Sequence, residues 1–183
     1  FNKTAETQAE YYSDLFRQHG AGVNAVASGE RRYKLLRYEK LSRVFNDDNK
    51  FSLHDVGFGL GHYLEFLDSV YSEKDIVYSG SEVTREFVDY CKKNYSKYKF
   101  YHRNLAENKY NDIYDYLIFG GTFYHIIDTP DNDFIEFIET ILENSFKMCK
   151  KGISFNFISD HVEFKYPGLF YANINDISNF IVK

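Results

Sequence analysis

The sequence contains no tryptophan, one methionine, two prolines and only two cysteines in 183 residues. Cys91 and Cys149 stand alone, which excludes a zinc pattern and a disulfide framework. Both fall in expected helices and read as buried free thiols, which fits a reducing cytoplasm. No apolar run is long enough to span a membrane, and Phe1-Asn2-Lys3 begins no signal peptide. Basic excess is missing too. Lys and Arg number 22 against 27 Asp and Glu, a net charge of −5, so the basic face that a large nucleic-acid footprint requires is absent. What is present, 44% hydrophobic and 27% charged residues, describes a globular chain long enough for one domain with a sizeable core. Phenylalanine (18) and tyrosine (17) are plentiful. That is a compositional bias, and it leaves aromatic material to line a pocket.

The chain is organised around Phe51 to Leu64, FSLHDVGFGLGHYL. An apolar run (Phe51, Leu53, Val56) carries an acid, Asp55, and leads into three alternate glycines, Gly57, Gly59 and Gly61, with Phe58 between the first two. An amphipathic stretch follows at once, with Tyr63, Leu64, Phe66 and Leu67 on its apolar side. Strand, glycine loop and helix bring a polar ligand against bare backbone, because glycine has no Cβ and tolerates positive φ. The new helix offers unpaired N–H groups there. A phosphate-binding P-loop is excluded, since no Lys follows the glycines. The dinucleotide fingerprint GxGxxG is not met either, with His62 where its third glycine belongs. A glycine-rich turn with no ligand remains the plain alternative.

Residues 1–46 read as a helical preface and 47–183 as the ligand-binding domain. A helix is expected over Ala5–Gln18, stopped at His19-Gly20, then a flexible loop over Gly20–Gly29. A second helix is expected over Glu30–Phe45, with Tyr33, Leu36, Leu41 and Val44 inward and Arg31, Arg32, Lys34, Arg37, Lys40 and Arg43 on the other face. That basic face is either solvated or lends Arg37 to a carboxylate. Further strands are expected at Ile76–Glu82, Lys99–His102, Tyr114–Phe119 and Gly152–Ser159. The helices between them start at Gly61, at Thr84 as N-cap and at Thr129-Pro130-Asp131. The last has a wide apolar face of Phe134, Ile135, Phe137, Ile138, Ile141, Leu142 and Phe146. A closing helix covers Ile174–Val182. Glu82 ends the second strand about twenty residues after the glycines, where a carboxylate suits ribose hydroxyls. Alternatively it is an exposed acid favoured by a helix N-terminus. Tyr124 and His125, just beyond the fourth strand, are the candidates for substrate contact and proton removal. His125 can equally serve by orienting its loop through a backbone hydrogen bond. Phe164, Tyr166, Phe170 and Tyr171 form either a lid or ordinary packing.

The string DVGFGLG, with Glu82 after strand two, resembles motif I and the ribose acid of class I S-adenosylmethionine (SAM)-dependent methyltransferases. The resemblance covers Phe51 to Ser159 and implies an α/β, Rossmann-like, doubly wound sheet in the order 3-2-1-4-5 with helices on both faces. It implies SAM as cofactor, held by Asp55, Gly57, Phe58, Gly59, Gly61, Glu82, Val83, Asn104, Leu105, Gly120 and Gly121; Arg37 or a neighbour on the basic face would then meet the methionine carboxylate of SAM or the carboxylate of an acidic substrate. Family members often carry Asp at the third strand end, where Asn104 stands here. GGTFYH after strand four is not the [DNS]PP[YF] of enzymes that methylate base or glutamine amines, which disfavours those acceptors; the acidic chain and a preface (residues 1–46) able to cap a closed pocket favour a small-molecule O or N acceptor. A SAM-binding regulatory or scaffold subunit is the rival reading. The family sheet closes with a 7-6 hairpin not readable here. Strand five would therefore be an exposed edge bearing Ile153, Phe155 and Phe157, completed by a removed segment, a second copy or another partner.

Overall fold

The computed structural model describes residues 2–26, 31–107 and 109–182. Helix α1 (Asn2–His19) ends where expected, at Gly20 with φ of 62°. Helix α2 (Arg31–Ser42) runs into a 3-10 turn, Arg43–Phe45. The expected helix start at Glu30, and the end of the expected loop at 27–29, lie outside the described residues.

Then follow β1 (Lys50–Val56), α3 (His62–Val70), β2 (Asp75–Glu82), α4 (Arg85–Asn94), β3 (Lys99–His102), β4 (Tyr114–Phe119), α5 (Asp131–Lys147) and β5 (Cys149–Phe155). The chain closes with β6 (Ile158–Ser159), β7 (Tyr171–Ala172) and α6 (Ile174–Ile181). Strands β1 to β5 form one parallel sheet in the order β3-β2-β1-β4-β5. Parallel neighbours need crossovers, and helices supply them, so both faces of the sheet are covered. One core layer joins Tyr38, Leu41, Phe45, Phe51, Tyr63 and Phe87; the other joins Leu117, Phe119, Phe123, Phe134, Ile138 and Leu142.

Several expectations are corrected. In α2 the buried residues are Tyr38 and Leu41, whereas Tyr33 and Leu36 are exposed, and Arg37 turns inward. Ile135 and Phe146 are exposed, so the apolar face of α5 is narrower than its sequence implies. Pro130 occupies the N-cap of α5 rather than its first turn. Thr84 occupies the N-cap of α4, but its side chain makes no capping bond. Cys149 starts β5 and is half-buried, whereas Cys91 is buried in α4 as expected.

The expected fifth strand is broken at Asn156-Phe157, because the Asn156 side chain is drawn to the loop after β4. Its last two residues pair instead with β7 in a small second sheet. Among the described residues no strand pairs with the outer edge of β5. Ile153, Phe155 and Phe157 are nonetheless half-buried, in the same cluster as Ile177 and Phe180 of α6. Among the described residues no helix is long and apolar enough to cross a membrane.

Candidate functional site

A cavity of about 180 Å³ lies beyond the carboxyl ends of β1, β2 and β4, where open α/β sheets bind ligands. Its floor is the glycine turn. Gly57 has φ of 77°, and a Cβ there would meet the Thr122 side chain at 2.8 Å. Thr122 is held in turn by its hydroxyl, which donates to the Val56 carbonyl at 2.7 Å. Gly57, Phe58 and Gly59 line the cavity, as do Glu82, Val83, Asn104, Leu105, Gly120, Gly121, Tyr124, His125 and Arg37. The fold thus brings most of the expected residues together.

Two expected residues stand elsewhere. Asp55 does not line the cavity: its carboxyl lies behind the turn and accepts a 2.8 Å hydrogen bond from Tyr78 Oη. Burial raises its pKa to about 7; the Tyr78 bond opposes this and Glu82 adds to it. Gly61 does not line the cavity either. A Cβ there would meet the Tyr95 ring at 2.9 Å, so its bareness serves α3–α4 packing.

Glu82 is 7% exposed. Its Oε1 accepts from the N–H groups of Val83 (2.8 Å) and Thr84 (3.0 Å), and its Oε2 from Gly59 N–H (3.0 Å). A carboxylate has about four acceptor sites, so one, on Oε2, is left for a ligand. The expected simultaneous grip on two hydroxyls is therefore narrowed to one direct bond. Burial raises the Glu82 pKa, opposed by those three backbone donors.

Arg37 lies against Gly121, whose absent Cβ would sit 3.2 Å from the guanidinium carbon. The guanidinium stands 5.5 Å from the Tyr38 ring centre and 5.3 Å from that of Tyr124. Its Nε is buried and has no partner among the described residues. Buried donors without acceptors are rare and costly. Asn104 is among the lining residues, and its Oδ1 accepts from Ala106 N–H at 3.0 Å, so the amide NH2 is the group it can offer a ligand. At His125 the backbone carbonyl accepts from Gln8 Nε2 at 2.9 Å, while the ring lies 6.0 and 6.1 Å from the Tyr11 and Tyr12 rings.

The helical preface was expected as a cap, but which of its residues reach the cavity went unseen in the sequence. Ala5, Gln8 and Tyr12 of α1 line one side of the cavity as a partial roof, and α1 is further tied by Ser13 Oγ donating to Glu86 at 2.7 Å. The aromatic stripe of α1 was visible, but it reads equally as core. Of the two readings of Phe164, Tyr166, Phe170 and Tyr171, lid or ordinary packing, the lid is not met, since none of them lines the cavity. Phe170 packs on Phe134 and Phe157, and the exposed Phe164 and Tyr166 meet edge to face.

No protein-family model and no curated protein matches the sequence. Solved structures do match. The [4+2]-cyclase SpnF aligns with TM-score 0.70 at 14% identity, over 98% of this chain and 72% of that one. A SAM-dependent methyltransferase from Aquifex aeolicus gives 0.58 at 18% identity, over 84% and 81%. SAM-bound CalS10, an amino pentose methyltransferase from Micromonospora echinaspora, gives 0.54 at 12%, over 85% of this chain and 60% of that one. At such identities the likeness is one of fold.

Proposed function

Because the chain has the class I SAM-dependent methyltransferase fold, we propose that it transfers the methyl group of SAM to an oxygen or nitrogen atom of a small molecule. The observation that carries this reading is the buried Glu82 carboxylate at the tip of β2, which keeps one acceptor site toward a cavity floored by Gly57 and Gly59. The donors and acceptors around it fit SAM group by group. Glu82 accepts from a ribose hydroxyl, the Asn104 NH2 donates to the adenine edge, and the unpartnered Arg37 Nε meets the methionine carboxylate. Bound there, the sulfonium would supply an activated methyl carbon open to displacement, so no protein nucleophile is needed. The chain's part is to align the acceptor behind that carbon and exclude water, with His125 removing a proton if the acceptor carries one. The partial roof that α1 lays over the cavity favours a small acceptor.

Fold alone does not decide chemistry, and the neighbour aligned at 0.70 is a cyclase. A SAM-binding regulatory or scaffold subunit is the alternative; label transfer from methyl-labelled SAM into a metabolite pool excludes it. For the cofactor itself, SAM and S-adenosylhomocysteine are expected to raise the melting temperature and NAD(H) to leave it unchanged, since only a native-state ligand stabilises. Arg37→Met should weaken both adenosyl ligands roughly 10- to 100-fold, as expected when a charge-assisted hydrogen bond is lost. A shift with NAD(H) alone would end this reading.

A further inference from the structure

Asn156 belongs to no motif, yet its side chain joins two segments of the site. Its Oδ1 accepts the Gly121 N–H at 2.9 Å, and its Nδ2 donates to the Tyr124 hydroxyl. The direction of this relay is forced. A backbone N–H only donates, so the amide oxygen faces Gly121 and the NH2 group faces Tyr124. An NH2 group also only donates. The Tyr124 oxygen therefore accepts, and its proton must point elsewhere. Among the described residues no protein atom receives that proton, and Tyr124 lines the cavity. The residue is held in place as well. Its carbonyl accepts from Phe170 N–H at 2.8 Å, Arg37 lies over its ring, and bare Gly121 abuts its edge.

We propose that Asn156 is a positioning residue that makes the Tyr124 hydroxyl a fixed hydrogen-bond donor toward the methyl acceptor, and that the accepting atom is oxygen, in a hydroxyl or carboxylate. This rests on the methyl-transfer reading. An oxygen has a lone pair for the Tyr124 hydrogen bond and another for the methyl carbon. A neutral amine has one lone pair, and a donor aimed at it blocks the pair that must attack. In the step itself the acceptor oxygen forms the new C–O bond as the S–C bond breaks, and the bonding pair stays on sulfur. A hydroxyl acceptor loses its proton to His125 and then to water; a carboxylate has none to lose.

Asn156→Asp reverses the relay, because a carboxylate only accepts and draws the Tyr124 proton onto itself. Calorimetry with SAM and S-adenosylhomocysteine tests the cofactor reading separately. Label transfer from SAM to a panel of phenols, alcohols, carboxylic acids and amines then reads the acceptor. Oxygen acceptors are expected to take the label. In Asn156→Asp and Tyr124→Phe, kcat should fall about 100-fold, the scale of one lost active-site donor, with the KM for SAM little changed. A readout free of turnover is the Asn156 side-chain NH2 resonance, which should shift in Tyr124→Phe. An unmoved resonance, label in amines only or in no oxygen acceptor, or full kcat in Asn156→Asp would each overturn the proposal. Failure of SAM to bind overturns the methyl-transfer reading beneath it, a result told apart by calorimetry alone.

Discussion

In the Glu82→Ala protein, SAM affinity is expected to fall by about 100-fold or more, close to 3 kcal/mol, and the ligand-free chain to melt at a lower temperature. Both effects arise from one carboxylate. Its removal strands the N–H groups of Gly59, Val83 and Thr84, and each buried, unanswered donor costs about 1–3 kcal/mol where water cannot reach it. The glycine turn would lose its tie to β2, and the ligand its ribose contact. Glu82→Gln does not rescue, because its NH2 group would face a donor on one side. Calorimetry with SAM, alongside melting of the empty protein, reads the two effects separately. SAM affinity equal to that of the unaltered chain would remove the ribose contact, whatever happens to stability.

In the Asp55→Asn protein, stability should fall steeply as the medium is acidified below pH 6.5, by up to about 1.4 kcal/mol per pH unit. The unaltered chain should show no such slope from this pair of groups. The reason is two buried neighbours on β1 that face opposite ways. The His54 ring is held between Ser79 Oγ and Ser81 Oγ, both at 2.8 Å, and stacks on Tyr114 at 4.2 Å. Burial, helped by the charge of Arg103, lowers its pKa to about 3. Between pH 6.5 and about 3 the unfolded chain therefore binds a proton at His54 that the folded chain refuses, so stability from this group drops with falling pH. Asp55, raised to about 7 by burial, works in reverse. Between about pH 4 and 7 the folded chain holds a proton that the unfolded chain has released, so stability drops with rising pH. Over roughly pH 4 to 6.5 the two slopes cancel, and asparagine at 55 removes one of them. Denaturant titrations at pH 4.5, 5.5 and 6.5 check this; equal slopes in both proteins would show that Asp55 titrates in the folded chain as it does in the unfolded one.

The first four strands were legible because each is a short apolar run closed by glycine, acid or histidine. Lys99–His102 and Tyr114–Phe119 are found at their expected limits. The cavity lining was legible to the same degree, since a parallel sheet delivers its strand ends to one side. What escaped depends on contacts between distant segments. Arg37 sits in a helix with apolar and basic residues on every side, so periodicity alone could not tell that Tyr38 and Leu41, and not Tyr33 and Leu36, face the sheet. Gly61 belongs to the glycine string yet answers to Tyr95, thirty-odd residues on. Asn156 did leave a signal, as the one amide inside the apolar run GISFNFIS. A polar residue there marks either a strand end or a partner across the site, and it proved to be both.

The roof over the cavity sets a tempo. Sites that hold drug-sized ligands occupy about 300–1,000 Å³, and the space beneath α1 is about 180 Å³, too little for SAM and an acceptor together. The helix is fastened by Gln8 to the His125 carbonyl and Ser13 to Glu86, and by Tyr12 and Phe16 packed on Phe87, so lifting it both breaks polar ties and exposes aromatic surface. If the chain binds SAM as proposed, loading would be paced by the lifting of this helix, and amide exchange along α1 should slow once the adenosyl ligand is aboard. Exchange unaltered by ligand would mean that entry uses another door.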